Sequence, residues 1–208
     1  MARDDSNQAA ATDAPVRAGP AIDVQQVWYE IHRGPAWKSM ALVAVDGGPP
    51  PATLAQSFGV LATEEKLRRI LVVNASTQQS RATTVKAPEA ERLWQDLARG
   101  GCTAVTPIDD HVDYLQLSRY DQSHAARLLV TAPQALAELT RGAPGYDGVI
   151  FAIDSLLVHP GATQLARAVE RVVLCIRLGS TSLAAARQVT EVIGAEKIVG
   201  SIALRPGA

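Results

Sequence analysis

Short apolar runs alternate with amphipathic segments from about residue 22 to the end of the chain. In the amphipathic segments apolar residues recur every three or four positions, which is typical of helices with one buried face. The runs place Val, Ile and Leu on consecutive positions, as in strands that are covered on both faces. We therefore predict strands at 39–45, 69–75, 112–118, 147–153, 171–178 and 197–204.

Helices are predicted between these strands, because turn and capping residues bound each amphipathic segment. In the last one Ser180 or Thr181 is the expected cap, and Leu183, Ala186 and Val189 are the expected apolar face. The predicted helices cover 22–33, 52–66, 88–99, 121–129, 133–141, 161–169 and 180–193. Buried strands that alternate with helices predict an α/β fold, a mostly parallel sheet with helices on both faces.

The domain organisation follows from length and local composition. Residues 1–20 are rich in Ala, Asp and Pro without periodicity, and we predict a disordered tail there. The rest, 21–208, is predicted to be a single α/β domain, since a chain of 208 residues is about one domain long. We expect no signal peptide and no membrane-spanning segment, because no apolar stretch is long enough for either.

Composition narrows the classes of function. The net charge is −1 and charged residues make up 20% of the chain, which argues against a nucleic-acid binder. Cys102 and Cys175 are far apart and match no metal or redox spacing. Cys175 lies inside an apolar run and is predicted to be a small buried hydrophobe.

The loop after the first predicted strand has the position of a phosphate-binding loop but not its chemistry. Its sequence from residue 46 is DGGPPPAT, between a strand and a helix. A phosphate-binding loop aims backbone N–H groups at the anion and adds a lysine and a Ser or Thr hydroxyl. Gly47 and Gly48 are retained here, but three prolines remove donors, no lysine follows, and Asp46 adds negative charge.

This loop therefore predicts a vestigial nucleotide site. Each lost hydrogen bond to a charged group costs about 1.5–3 kcal/mol, so several losses remove most of the affinity for a nucleotide. We accordingly expect no cofactor. Thr53 offers a hydroxyl near the helix start, either as a remnant of the site or as a local cap.

Acidic residues are scarce where nucleotide hydrolysis would need them. Phosphoryl transfer requires a carboxylate at a strand end to hold magnesium or to orient the attacking group. Asn74 and Ser76 end the second strand instead, and Ala152 lies in a later one. Asp154 follows that later strand, as a functional carboxylate or as a loop residue. The cluster DDHVD at 109–113 is predicted to be a solvated loop, with a metal site as the alternative.

At this point the chain resembles a known family, the cytoplasmic kinase domain of the bacterial tyrosine kinases of capsule and exopolysaccharide synthesis, relatives of MinD/ParA-type ATPases. The matching segments cover about 22–204: SMALVAVDGGPPPATLAQSFGVLA, RRILVVNAS, YDGVIFAIDSLL and the closing helix–strand–helix–strand. The first helix, with Glu30 and Arg33 three positions apart, resembles the family's oligomerisation helix. The resemblance implies a fold of the P-loop NTPase type.

The departures from the family all fall on its catalytic positions. Pro51 and Ala52 stand where the family has the phosphate-loop lysine and the residue after it. Asn74 and Ser76 replace the two acids of the second strand, and Ala152 replaces the magnesium-site Asp. The residues LRPGA at 204–208 contain none of the tyrosines expected of the family's C-terminal cluster.

The resemblance and its departures together imply a catalytically inactive tyrosine-kinase-like protein of polysaccharide synthesis or export. The implied partner is the cytoplasmic part of an inner-membrane polysaccharide co-polymerase or export protein, with self-association as a further expectation. Its location would be cytoplasmic and peripheral to the inner membrane through that partner. No nucleic acid is expected as a partner.

Two alternatives remain open. In the first, the protein is an active ATPase or tyrosine autokinase in which Asp46 and Asp154 hold Mg²⁺, and Lys38 or a neighbouring subunit's arginine contacts the phosphates of ATP. In the second, it is a positioning adaptor of the MinD/ParA type. An amphipathic membrane-targeting tail would favour the adaptor, and the sequence offers none.

Overall fold

The structure, a computed structural model, describes residues 22–32, 36–47, 51–66, 69–76, 105–116 and 138–205. Their strands are β1 Ser39–Ala44, β2 Ile70–Asn74, β3 Thr106–Asp109, β4 Val112–Gln116, β5 Gly148–Ile153, β6 Arg171–Arg177 and β7 Ile198–Leu204. Their longer helices are α1 Ile22–His32, α2 Ala52–Lys66, α3 Thr163–Ala168 and α4 Leu183–Ile193. Short 3₁₀ turns lie at Pro160–Ala162 and Ala195–Lys197, and 138–140 is helical.

The strands form one sheet in the order β3-β4-β2-β5-β1-β6-β7. All neighbouring pairs are parallel except β3 and β4, which are antiparallel. The prediction of a mostly parallel sheet is confirmed. Because parallel strands point the same way, the ends of β1, β2, β5 and β6 lie along one border of the sheet.

The sheet has a hydrophobic core on each face, as the continuous apolar runs predicted. Side chains of a strand alternate between faces. In β1, Ala41 and Val43 belong to one cluster of buried residues, whereas Met40 and Leu42 belong to the other. The second cluster includes Trp28 of α1 and Phe58 of α2, which bury fully against the sheet.

Helix α2 follows the proline-rich loop and approaches the sheet closely. A Cβ atom added at Gly59 would lie 2.9 Å from Val72 Cγ2 and 3.1 Å from Val112 Cγ1. These distances are shorter than ordinary contacts, so a side chain at this position would push the helix away. Gly59 thus allows α2 to pack closely against the sheet. The first turn of α2 lies at the border of the sheet where the candidate site was predicted.

The prediction missed one strand. β3 is four residues long and contains Pro107 and Asp109, so it lacks the apolar signal of the other strands. It forms a hairpin with β4 through Asp110 and His111, both exposed. The predicted helices at 88–99 and 121–129 and the predicted tail at 1–20 lie outside the described residues. No helix in the described part of the chain is sufficiently long and apolar to cross a membrane.

The prediction for α4 was wrong at its start. Ser182, rather than Ser180 or Thr181, caps the helix, and its Oγ accepts a hydrogen bond from the Ala185 N–H at 3.1 Å. Leu183 is 69% exposed instead of buried. The helix begins at Leu183, whereas its buried stripe begins one turn further on and includes Ala186 and Val189, as predicted.

Candidate functional site

The candidate site lies along what we call the carboxyl border, the residues that follow β1, β2, β5 and β6: 45–47, 75–76, 154–158 and 178–182. Of the predicted site residues, Gly47 and Asp154 lie on this border and Thr53 lies in the first turn of α2. Gly48 lies outside the described residues. In open α/β sheets this border is where ligands bind.

Asp46 holds the loop that follows β6. Its Oδ2 accepts hydrogen bonds from Ser180 Oγ at 2.7 Å and from Thr181 Oγ1 at 2.8 Å. Thr181 Oγ1 also accepts from the Arg177 backbone N–H at 2.9 Å, so the network is anchored in β6 itself. Hydrogen bonds this short to a carboxylate are charge-assisted and stronger than neutral ones. The carboxylate after β1 therefore ties two neighbouring strands together.

Asp154 is part of a second network, at the ends of β5 and β2. It is 1% exposed, and its Oδ2 accepts a hydrogen bond from Ser76 Oγ at 3.2 Å. The Ser76 N–H in turn donates to Asn74 Oδ1 at 3.2 Å, and Asn74 Nδ2 donates to Tyr114 OH at 3.1 Å. Asn74 and Ser76 are thus joined to Asp154 by a chain of hydrogen bonds.

Short side chains close the border between these networks. Ala152 is fully buried and is paired with Leu42 of β1 and Asn74 of β2. Ser155 Oγ donates to the Val45 carbonyl oxygen at 2.9 Å, which joins the ends of β5 and β1. A methyl group at position 152 supplies no ligand for a metal ion. The described residues contain no group of three or more His, Cys, Asp or Glu side chains suited to hold one.

The start of α2 carries no charge that would attract phosphate. Pro51 is buried, and its carbonyl oxygen accepts the N–H of Ala55 at 2.9 Å as the helix begins. Thr53 is exposed and Ala52 is half-buried. A helix N-terminus attracts anions through its free N–H groups, and Pro51 has none to offer.

Lys38 cannot reach this border from its own chain. It immediately precedes β1, whereas the border follows Ala44. Strands rise about 3.3 Å per residue, so six residues separate the two ends by roughly 20 Å. The prediction that Lys38 contacts phosphates within one chain is therefore wrong.

The cluster at 109–113 divides into two parts. Asp109 and Asp110 are exposed on the hairpin, as expected of a solvated loop. Asp113 instead is buried in β4, and its Oδ2 accepts hydrogen bonds from Arg69 Nη2 at 3.0 Å and from Tyr146 OH at 2.8 Å. Its partners lie 44 and 33 residues away in the chain. Only the parallel order of the strands brings them together.

Sequence reasoning also missed the role of Ser180 and Thr181. Their hydroxyls follow one strand and Asp46 follows another, and the sequence alone does not say that β1 and β6 are neighbours. The prediction for Cys175 is confirmed, since this residue is 3% exposed in the core. Burial raises the pKa of its thiol to about 12, because the thiolate would lose its hydration.

Several solved structures have the same fold. The kinase domain of VpsO matches with a TM-score of 0.64 and 17% identity, over 89% of this chain and 92% of that one. The kinase domain of the Escherichia coli tyrosine kinase ETK matches with 0.59 and 13%, over 88% and 73%. A ParA family ATPase from Chlorobium tepidum TLS matches with 0.50 and 15%, over 82% and 73%.

No protein-family model matches the sequence, and no curated protein matches it significantly. The structural matches confirm the predicted fold, that of bacterial tyrosine kinase domains and ParA-type ATPases. At these identities the likeness is one of fold.

Proposed function

We propose that this protein is a catalytically inactive, tyrosine-kinase-like protein that acts through a protein partner. The observation that carries the proposal is the hydrogen-bonding of Asp46 to Ser180 and Thr181 at 2.7 and 2.8 Å. A phosphate group bound at the end of β1 would face this carboxylate. In its place, hydroxyls of the chain itself satisfy the charge.

The energetic argument concerns what a triphosphate would need at this border. It would need backbone N–H groups and a cation, whereas the segment from residue 46 to residue 53 contains three prolines and no Lys or Arg. Like charges a few ångströms apart repel, by about 4 kcal/mol at 4 Å near a protein surface. Both effects act in the same direction, so we expect ATP to bind too weakly to matter in a cell.

The alternative of an active enzyme requires Asp46 and Asp154 to hold Mg²⁺ together. Each of them accepts a hydrogen bond from a hydroxyl on a different loop, Asp46 from Ser180 and Asp154 from Ser76. A metal ion held by both carboxylates would compete with these hydrogen bonds. If the alternative were correct, Asp154→Asn would abolish ATP turnover, whereas we expect no turnover from either variant or wild type.

Isothermal titration of the whole protein with Mg·ATP tests the proposal directly. We expect no heat of binding at ligand concentrations up to the millimolar range and no release of phosphate. Micromolar binding accompanied by hydrolysis would overturn the proposal.

For the partner, we propose the cytoplasmic part of an inner-membrane polysaccharide co-polymerase or export protein, which also implies a cytoplasmic, membrane-peripheral location. The support is the shared fold with the VpsO and ETK kinase domains. A pull-down from native membranes, with this protein as bait, should recover a membrane protein of polysaccharide export. Recovery of division or segregation proteins instead would favour the MinD/ParA-like adaptor.

A further inference from the structure

The two edges of the sheet differ in how they are protected against pairing with another chain. An edge strand exposes unpaired N–H and C=O groups, and natural proteins block such edges with short strands, charges, prolines or irregular register. β3 has all of these features: four residues, Pro107, Asp109 and a register shift against β4. β7, at the opposite edge, is seven residues long and contains neither a charge nor a proline.

The polar groups of β7 that face away from β6 can be assigned from one hydrogen bond. The Leu204 carbonyl oxygen accepts from the Leu178 N–H at 2.9 Å, so the backbone groups of Leu204 face β6. Backbone groups alternate in direction along a strand, so those of Ser201 and Ala203 face outward. Among the described residues, no strand pairs with this outer side of β7.

The part of β7 available for pairing is regular. Its register with β6 shifts only near Val199, between the pairs Val172↔Ile198 and Val173↔Gly200. From residue 200 to residue 204 the register is continuous. The side chains of Ser201 and Ala203 are exposed, while Ile202 is partly buried against the core.

We propose that β7 pairs antiparallel with β7 of a second copy of this chain, around a twofold axis at Ile202, so that one sheet runs through a dimer. The geometry favours a second copy because the regular segment 200–204 contains no charge and no proline that would oppose pairing with itself. With Ile202 opposite its own copy, Ser201 of each chain faces Ala203 of the other. The two residues of each such pair exchange both of their backbone hydrogen bonds. Gly200 then faces Leu204, which leaves room for the leucine side chain.

The side chains agree with this pairing. Ile202 and Leu204 pack against the cluster that includes residues of α1 and α2. In the dimer this cluster of one copy is therefore continuous with the same cluster of the other copy. No charged residue within 200–204 meets a like charge across the axis. A closed twofold contact also pairs the outer side of β7 in both copies, whereas an open head-to-tail contact would leave one of them unpaired.

Sedimentation velocity without nucleotide tests the dimer. We expect a species of twice the 22.0 kDa chain mass at tens of micromolar protein. Ala203→Lys should raise the dissociation constant at least tenfold, because it places two like charges beside the axis. Ala184→Lys, the same change at an exposed position of α4, should leave the dissociation constant unchanged. A monomeric wild type, or a dimer that Ala203→Lys does not weaken, would overturn the proposal.

A cysteine at the axis tests the register. Opposite Cβ atoms of such a pair lie about 4.5–5.5 Å apart, close to the spacing of a disulfide. In a Cys102→Ser background, Ile202→Cys should give a covalent dimer under mild oxidation, whereas Val199→Cys should not. Equal cross-linking of both variants, or of neither, would contradict this register. These measurements do not depend on ATP, so their outcome is separate from that of the proposed loss of catalysis.

Discussion

The two ends of the parallel strands are held together by different chemistry. At the end where the strands begin, which we call the amino border, Arg69 pairs with Asp113 at 3.0 Å and Tyr146 OH adds a hydrogen bond at 2.8 Å. At the carboxyl border the carboxylates of Asp46 and Asp154 are bonded to Ser and Thr hydroxyls instead. Asp113 at the amino border therefore has a cationic partner, whereas hydroxyls donate to the two carboxylates at the carboxyl border.

This difference is the one expected if, as we propose, a border that binds ligands in this fold is held here by contacts within the chain. In open α/β sheets ligands bind at the carboxyl ends of the strands, so we expect the polar residues of the amino border to contribute to stability. Asp46 and Asp154 follow β1 and β5 at the carboxyl border, where ligands bind in open α/β sheets. The hydroxyls of Ser76, Ser180 and Thr181 donate to these carboxylates and join the loops of neighbouring strands. We expect the carboxyl border to be closed and held by its own hydrogen bonds.

Cys175 should differ strongly in reactivity between the folded and the unfolded protein. Its carbonyl oxygen accepts the Val45 N–H at 3.1 Å just beneath the carboxyl border. Because burial raises the pKa of its thiol to about 12, the thiolate is roughly a thousandfold scarcer at pH 8 than in an unfolded chain. In a Cys102→Ser background, alkylation by iodoacetamide should be slower by at least this factor in the folded protein than in urea. Rapid labelling of the folded protein would mean that the border opens.

The same thiol makes the free energy of unfolding depend on pH. The folded-state pKa of about 12 lies above the unfolded value of about 8.5, so the folded state binds more protons between these values. The free energy of unfolding therefore falls as pH rises above about 8.5, by up to about 1.4 kcal/mol per pH unit. Urea denaturation of wild type and Cys175→Ala between pH 7.5 and 9.5 measures the difference, and parallel pH profiles of the two would refute the expectation.

At the amino border, Asp113→Ala should lower the free energy of unfolding by about 2–3 kcal/mol. The change removes the ion pair with Arg69 and leaves Tyr146 OH, at a residue only 8% exposed, without this acceptor. The estimate stays below that of a fully buried pair because the Arg69 side chain is 51% exposed. Urea denaturation measures the loss, and the exposed Asp109→Ala on β3 is the matched control, with a change below about 0.5 kcal/mol.

The fold was predictable to the extent that burial is continuous along the strands. β1, β2 and β6 are buried over most of their length, so their apolar runs identified them directly. β3 was missed because its residues alternate between exposed and half-buried and include a proline. Local pattern also misplaced the cap of α4, since Ser180, Thr181 and Ser182 are equivalent in sequence and only the contact of the first two with Asp46 separates them.

The candidate site was predictable in its position but not in its contacts. The order of strand, loop and helix placed Gly47 and Asp154 at the carboxyl border. The pairing of Asp46 with Ser180 spans 134 residues, and that of Ser76 with Asp154 spans 78. Such contacts depend on which strands are neighbours, and the pattern of apolar residues along the chain does not determine the order of the strands in the sheet. Tyr114 and Asn74 meet for the same reason.

At the carboxyl border, Asp46→Ala should lower the free energy of unfolding by about 1–2 kcal/mol, less than Asp113→Ala. Asp46 is half-buried, and the hydroxyls it leaves behind can turn to water. Its effect should also be local: hydrogen exchange should accelerate in 178–182 with little change in β2 and β4. Thr53→Ala, at an exposed position of α2, serves as the control. An equal acceleration throughout the sheet would show that Asp46 serves the whole fold rather than this border.

The change that we expect to alter ATP binding least is also the most informative about the carboxyl border. Restoring the two residues that the resemblance singles out, with Pro51→Lys and Ala52→Ser together, should still give no detectable heat with Mg·ATP. Two prolines would remain in the loop, Asp46 would still accept from Ser180 and Thr181, and Ala152 would still offer magnesium no oxygen. Each missing element removes affinity independently, so repairing one leaves the others in force. Micromolar binding by this double variant would show that positions 51 and 52 alone account for the loss of affinity for ATP. The hydrogen bonds of Asp46 and Asp154 would then not prevent ATP from binding.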